Sequence, residues 1–326
     1  MATAAPTGVN GAWSLYRQCA ATSAFHKSQL ETFTRISLWL GITGAVIGTV
    51  AQRMAPDSAS YTSKVLGVIA SVVVALAGLA ATKASSGSGD KIWVKCRAAA
   101  EALKSSVYLY SASVTPFDDP NRSATLTQRA ESILKELAGI ELRPGKMDRQ
   151  APGQMTVADY IRDRVDDQIE YYSGSVGRLQ KRADFWRYVS MTAAAVSAVF
   201  GAVSAIHSLS LWVALLATVT TSVTAYVKNQ RYGSMIGLYQ TTAIRLQLLK
   251  DQWLDSGKTD SDKADRDSFI RRCEETLAVE NGAWVAQWSQ QLPQQQRQSP
   301  QGAPETAAPQ KGSPDSRQKD NAAKST

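Results

Sequence analysis

The sequence predicts an all-α membrane protein with four transmembrane helices arranged as two hairpins, from which long amphipathic helices extend into the cytoplasm. Three observations predict this. From Tyr188 to Val227, 40 consecutive residues contain no Asp, Glu, Lys or Arg. Two shorter uncharged runs, Ile36 to Gln52 and Val65 to Thr82, hold 17 and 18 residues. Between these blocks, apolar residues recur every three or four positions, the period of a helix with one buried face. A crossing takes about 20 apolar residues, so the long block suffices for two spans and the shorter runs for one each.

The mean hydropathy of −0.21 is that of an ordinary soluble chain. It averages over segregated blocks and therefore misleads. A soluble bundle with buried helices is the alternative, but a soluble helix needs a polar face, which a 40-residue uncharged stretch lacks. Met1 to Asn10 has no basic cluster, and the first apolar run starts too late for a secretory signal.

In chain order, residues 1–11 are expected to be a disordered N-terminus and 12–143 a first two-span unit, with spans near 36–54 and 63–82. Residues 144–155, with Pro144, Gly145, Pro152 and Gly153, form a linker. Residues 156–290 form a second unit, with spans near 188–207 and 209–227. Beyond it, 291–326 turns to Gln, Pro, Ser and Ala without periodicity and is expected to be disordered.

The lead-in helix of the second unit carries its stripe at Val157, Ile161, Val165, Gln168, Tyr172, Val176, Leu179 and Ala183, with Thr156 and Asp159 as an N-capping pair. It continues into the third span as one helix of about 50 residues, roughly 75 Å long, projecting beyond the lipid as a stalk. The lead-out helices show stripes at Ile92, Cys96, Ala99, Leu103, Val107 and Tyr110, and at Ile236, Tyr239, Ala243, Leu246, Leu249 and Trp253. Ser85 to Gly89 predicts a flexible joint before the first. Lys228 to Gly233 predicts a rigid one before the second.

The two units align as an internal repeat. Gln128 to Leu134 pairs with Arg271 to Leu277 at an offset of 143, which also pairs Ala100 with Ala243 and Leu103 with Leu246. Upstream, Phe33-Thr34-Arg35 pairs with Phe185-Trp186-Arg187 at an offset of 152. A shorter outer turn in the second hairpin accounts for the nine-residue difference.

Orientation follows the basic flanks. Twelve Lys and Arg residues lie beside the long segments, among them Lys27, Arg35, Arg178 and Arg182, against Arg53 and Lys64 alone at the short turns. Both termini are therefore expected in the cytoplasm. The net charge of +8 reads as topology and attraction to anionic lipid. No nucleic-acid module is visible.

Candidate functional residues are few. Gly44 and Gly48, and Ala194, Ala198 and Ala202, are small residues at fourfold spacing that let helices approach closely in lipid, either within one bundle or at an oligomer seam. Thr220, Thr221 and Thr224 either bond back to their own helix carbonyls or line a conduit. No ionisable residue sits mid-span, which argues against a proton-coupled carrier. Gly257-Lys258-Thr259 matches the end of a phosphate loop, but Gln252 stands where its first glycine belongs. Asp163, Asp166, Asp167 and Glu170 read as a solvated face or a weak divalent-cation site. Cys19, Cys96 and Cys273 lack metal-ligand spacing and read as buried apolar residues. No nucleophile–base pair is recognisable, so neither an enzyme nor a cofactor is expected.

The lead-in stretch Leu179 to Tyr188, the hairpin, the amphipathic lead-out helix and the closing stretch Phe269-Ile270-Arg271-Arg272-Cys273-Glu274-Glu275, followed by Glu280-Asn281 and Trp284, resemble the bacterial SLATT domains. The first unit lacks the Glu-Asn-x-x-Trp part. Phe269, Arg272, Glu274, Glu280 and Trp284 are the positions that carry the resemblance. It implies a tandem pair of two-span effector domains of bacterial conflict systems. They would sit in the inner membrane as a homo-oligomer and permeabilise or depolarise it on a nucleotide-linked cytoplasmic signal from a partner. A membrane-anchored helical scaffold or sensor without a pore is the alternative.

Overall fold

A computed structural model describes residues 8–54, 61–84, 88–145, 150–204 and 210–289. The sequence-predicted outer turns, the centre of the linker and the C-terminal tail fall outside these residues, as do 85–87 of the first joint. No strand occurs among the described residues.

Helix α1 (Gly8–Arg53) runs unbroken for 46 residues, roughly 69 Å at 1.5 Å per residue. It contributes both the lead-in helix and the first span. Helices α2 (Tyr61–Ala84) and α3 (Ser88–Ser111) both pack along α1. The short α4 (Arg122–Glu136) closes the unit by packing on α1 and α3. The second unit repeats the plan. Its lead-in consists of α5 (Val157–Tyr160), a π-helical turn (Ile161–Asp166) and α6 (Asp167–Ser204), which run on without interruption. Then come α7 (Ser210–Gln230), α8 (Tyr232–Asp255) and α9 (Lys263–Ser289).

Local chemistry sets several of these ends. Thr156 and Asp159 form a complete capping box, each side chain accepting from the other residue's backbone N–H at 3.2 Å. Gly257 lies just past α8 at φ +63°, a left-handed position that glycine takes without strain. The Gly257-Lys258-Thr259 triplet is thus a helix terminator. The joint between α7 and α8 corrects the sequence expectation: it is broken at Arg231, whose φ of +49° interrupts the helix for one residue. That conformation is uncommon for a residue with a side chain.

The repeat survives at the level of burial. At the 143 offset, Leu103 and Leu246, Leu126 and Phe269, and Ala130 and Cys273 are all buried; at the 152 offset so are Ala12 and Arg164, Trp13 and Val165, and Ser23 and Ser175. The outer turns, where the sequence places the nine-residue difference, lie outside the described residues.

Two regions of different surface result. The spans expose large apolar side chains, including Trp39 at 58%, Leu79 at 66% and Met191 at 62%. A water-soluble surface does not carry such a belt. Among the described residues, three helical stretches are long and apolar enough to cross a membrane, and they involve α1, α2 and α7. The apolar end of α6, from Tyr188 to Ser204, contributes 17 described residues, and the remainder of the sequence-predicted third span lies outside them. Below this belt, α3, α4, α5, α8, α9 and the lower parts of α1 and α6 share one apolar core to which both units contribute. The lead-in helix of the second unit is thus a wall of a bundle and not a free stalk. The linker and the residue before it are fastened to this bundle: Thr22 Oγ1 accepts from the Arg143 N–H at 2.8 Å, and Ser111 Oγ donates to the Pro152 carbonyl at 2.9 Å. At Gly145 a Cβ would lie 2.7 Å from that of Arg17, so the backbones meet where only glycine fits.

Candidate functional site

Among the described residues two carboxylates are buried, Glu274 and Glu280 on α9, and the residues that hold them come from both units. The tighter arrangement surrounds Glu274. Arg164, on the π-helical turn, points inward with Ile161 and Val165 and is 1% exposed. Its Nε and Nη2 donate to the two Glu274 oxygens at 2.8 and 2.9 Å, a bidentate pair. The Tyr160 hydroxyl donates to Glu274 Oε1 at 3.0 Å. From the first unit, the Tyr108 ring lies 4.9 Å beneath the guanidinium, and its hydroxyl donates to the Asp163 carbonyl at 3.1 Å. Burial pushes the Glu274 carboxyl upward, but Arg164 and the hydrogen bonds from Arg164, Ser105 and Tyr160 outweigh it and hold the group below the usual carboxylate range.

The second arrangement, two turns along α9, is looser. Glu280 accepts from the Tyr172 hydroxyl at 3.1 Å, while Arg97 of α3 stands 3.7 Å away. Arg97 Nε and Glu280 Oε1 are buried without a hydrogen-bond partner among the described residues. Here burial dominates over Arg97 and Tyr172, and the Glu280 carboxyl is raised. The Arg97 guanidinium lies 4.3 Å over the Trp284 ring, which meets Trp93 edge-on at 5.1 Å. One helix thus carries two buried carboxylates with opposite shifts. The difference is geometric: a matched fork at one, a single distant nitrogen at the other.

Above Trp93 and Trp284, where the bundle meets the spans, a cavity of about 690 Å³ separates α1 and α3 from α6 and α8. Its upper wall includes Ser37, Ala81 and Ala84 from the ends of the first hairpin's spans, and its sides carry Lys27, Arg178 and Arg182. A second cavity of about 860 Å³ lies deeper in the bundle, lined by Trp13, Tyr16, Arg17, Lys104, Tyr108 and Asp167 among others. Burial, reinforced by Arg164, lowers Lys104 to about 8.

The sequence-predicted positions separate into groups. Phe269, Glu274, Glu280 and Trp284 all enter the core, Phe269 stacking on Trp253 at 5.2 Å, whereas Arg272 faces solvent. Gly44 packs inside its own hairpin, where a Cβ would lie 2.7 Å from Val74 Cγ2; Gly48 faces Ala70 with ordinary clearance. Ala194, Ala198 and Ala202 are exposed on α6. Thr220 donates to its own helix at Leu216 O, 2.8 Å away, while Thr221 and Thr224 are exposed. The acidic group is dispersed into pairs, Asp163 with Arg162 at 2.7 Å and Asp166 with Lys250 at 2.6 Å. No cluster of three metal-ligating side chains occurs among the described residues. All three cysteines are buried and free.

Sequence reasoning missed Arg164, Tyr160 and Arg97 as site residues, and read Tyr172 only as part of an apolar stripe. The signal for Arg164 was present, since a charged residue between Ile161 and Val165 on an apolar stripe requires a buried partner.

Two family matches divide the chain at the π-helical turn. Residues 14–161 match SMODS and SLOG-associating 2TM effector domain 3, and residues 160–284 match SMODS and SLOG-associating 2TM effector domain 1. No curated protein matches the chain. No solved structure matches it.

Proposed function

The chain belongs to the SLATT family of SMODS and SLOG-associating 2TM effector domains, as a tandem of two, and from this premise we propose that it is a four-span effector of the bacterial inner membrane that permeabilises the membrane when its cytoplasmic bundle receives a signal. The observation that carries this reading is continuity. Helices α1 and α6 run without interruption from the shared core into the apolar belt. A helix is stiff over this length, so a displacement of its cytoplasmic end reaches the spans. Because α3 of the first unit lies against α9 of the second, neither hairpin moves independently. A trigger that binds the displaced arrangement more tightly shifts the whole assembly toward it.

The excess of Lys and Arg beside the long segments supports termini in the cytoplasm, on the same side as the bundle. The exposed alanines of α6 are the surface on which copies assemble, and a nucleotide-linked partner acts on the cytoplasmic helices. The test is induced expression with a membrane-potential dye, with and without the native trigger. Depolarisation in wild type, lost on Ala198→Leu with unchanged membrane insertion, supports the reading. Unchanged potential and normal growth under the trigger refute it.

A second reading, a membrane-anchored scaffold that recruits partners without a pore, draws on the hydroxyls of α7. Thr218, Thr220 and Ser222 each donate to the carbonyl four residues back, at 2.8–2.9 Å. On that reading Ala198→Leu leaves partner recruitment intact.

A further inference from the structure

We propose that the juxtamembrane cavity between the two repeats is a binding site for a phosphate-bearing anion, presented either as the headgroup of an anionic phospholipid or as soluble phosphate from the cytoplasmic side. The proposal concerns a site inside one chain and stands whether or not the protein opens a pore.

Charge supports it first. Arg178 and Arg182 project from α6 one turn apart, and Lys27 faces them from α1. Among the described residues neither arginine is held by a carboxylate; Arg178 Nη2 donates to the neutral Ser175 hydroxyl at 2.8 Å. Three basic side chains line the cavity against two acids, Glu31 and Asp90. Glu31 is taken by Lys27 at 3.8 Å. Two guanidiniums therefore face the cavity without counterions. Their planar forks suit phosphate oxygens.

Depth is the second argument. Arg182 precedes Tyr188, the first residue of the uncharged block, by six residues, roughly 9 Å along the helix. That matches the polar layer flanking a hydrocarbon core. The cavity also runs upward to Ser37, Ala81 and Ala84 at the span ends, so acyl chains have an apolar exit while the headgroup stays among the cations. Below, Trp93 and Trp284 supply an aromatic floor, with Lys27 Nζ 5.9 Å from the Trp93 ring centre. Cations and indoles together at this level are the side chains that the headgroup layer favours.

The third argument is what the site would join. Lys27 and Trp93 belong to the first repeat; Arg178, Arg182 and Trp284 belong to the second. An anion bridging them holds the hairpins in one spacing.

The full chain, purified and placed in nanodiscs of either zwitterionic lipid alone or zwitterionic lipid with 20–30% phosphatidylglycerol (roughly the anionic fraction that attracts basic segments), is the sample. Native mass spectrometry then counts retained phosphatidylglycerol. Wild type is expected to retain it over phosphatidylcholine, and Arg178→Gln with Arg182→Gln to lose about tenfold per arginine, the equivalent of one charge-assisted hydrogen bond each. Arg271→Gln, exposed on α9, is the control. A second arm adds inorganic phosphate to zwitterionic discs and follows melting. Stabilisation that needs no phosphatidylglycerol and is lost in the double variant assigns the site to the soluble source. Arg182→Lys, which keeps the charge, separates lost binding from lost folding. Equal retention of both lipids, with no phosphate effect, overturns the proposal, as does retention unchanged in a folded double variant.

Discussion

Breaking the Arg164–Glu274 pair is the perturbation for which the structure supports the firmest number. Both side chains are almost fully excluded from solvent, at 1% and 4%. In Arg164→Met the Glu274 carboxylate keeps the Tyr160 hydroxyl but loses its counterion; in Glu274→Gln the guanidinium, whose Nη1 already has no hydrogen-bond partner among the described residues, is left charged and buried. Either change costs about 3–5 kcal/mol, because a stranded buried charge is worse than no charge at all. Replacing both, Arg164→Met with Glu274→Leu, removes the charges together and leaves mainly the Tyr160 hydroxyl unpaired, a cost of about 1–3 kcal/mol. For a bundle of this size each kcal/mol moves the midpoint by roughly 2–4 °C, so the singles are expected about 6–20 °C below wild type and the double well above them. Intrinsic tryptophan fluorescence in detergent, at one scan rate, reads this directly, since Trp93, Trp253 and Trp284 sit in the same core. Arg162→Ala, at an exposed pair, is the control and should move the midpoint little. Singles within 2 °C of wild type, or a double no better than the singles, refute the reasoning.

The two carboxylates should also titrate stability in opposite directions. Glu274 is depressed, so the advantage of wild type over Glu274→Gln is present above the ordinary glutamate range and shrinks as pH falls through it; Glu280 is raised, so the advantage over Glu280→Gln shrinks as pH rises through that range. Melting both variants beside wild type between about pH 3.5 and 7 checks the signs. In the first hairpin Gly44→Ala forces a contact with the stiff Val74 side chain and costs about 1–3 kcal/mol, whereas Gly48→Ala, 3.7 Å from Ala70, is tolerated; comparative melting of the purified variants decides. Burial pushes Cys19 up to about 12 and Cys96 to about 11, and Cys273 is raised as well, so all three thiols should resist maleimide in the folded protein and react fully in denaturant, as counted by mass.

The helical plan was legible in the sequence because each helix has to segregate its own apolar residues. Charge-free runs located the membrane belt, and the stripes through Val165 and Tyr172, Cys96 and Leu103, and Ala243 and Leu246 marked faces that are buried in the fold. The Thr156–Asp159 cap lay in adjacent residues and needed no tertiary information. The joints were less legible. A single left-handed residue at Arg231 leaves no compositional trace, since arginine is an ordinary helix former. Likewise, the closing-stretch positions Phe269, Glu274, Glu280 and Trp284 were visible as residues, but not as a core.

What sequence alone determined is thus the set of local periods: which residues are helical, which face of each is apolar, and where the uncharged blocks lie. What only tertiary structure decided is partnership. Arg164 and Glu274 are 110 positions apart and Arg97 and Glu280 are 183 apart, and no local pattern states which carboxylate meets which guanidinium or how closely. Fork geometry at one and a 3.7 Å separation at the other arise from the angle at which α9 lies across α3 and the π-helical turn. Helix packing determines that angle by fitting many side chains at once, and it is therefore a property of the assembled core and of no single segment.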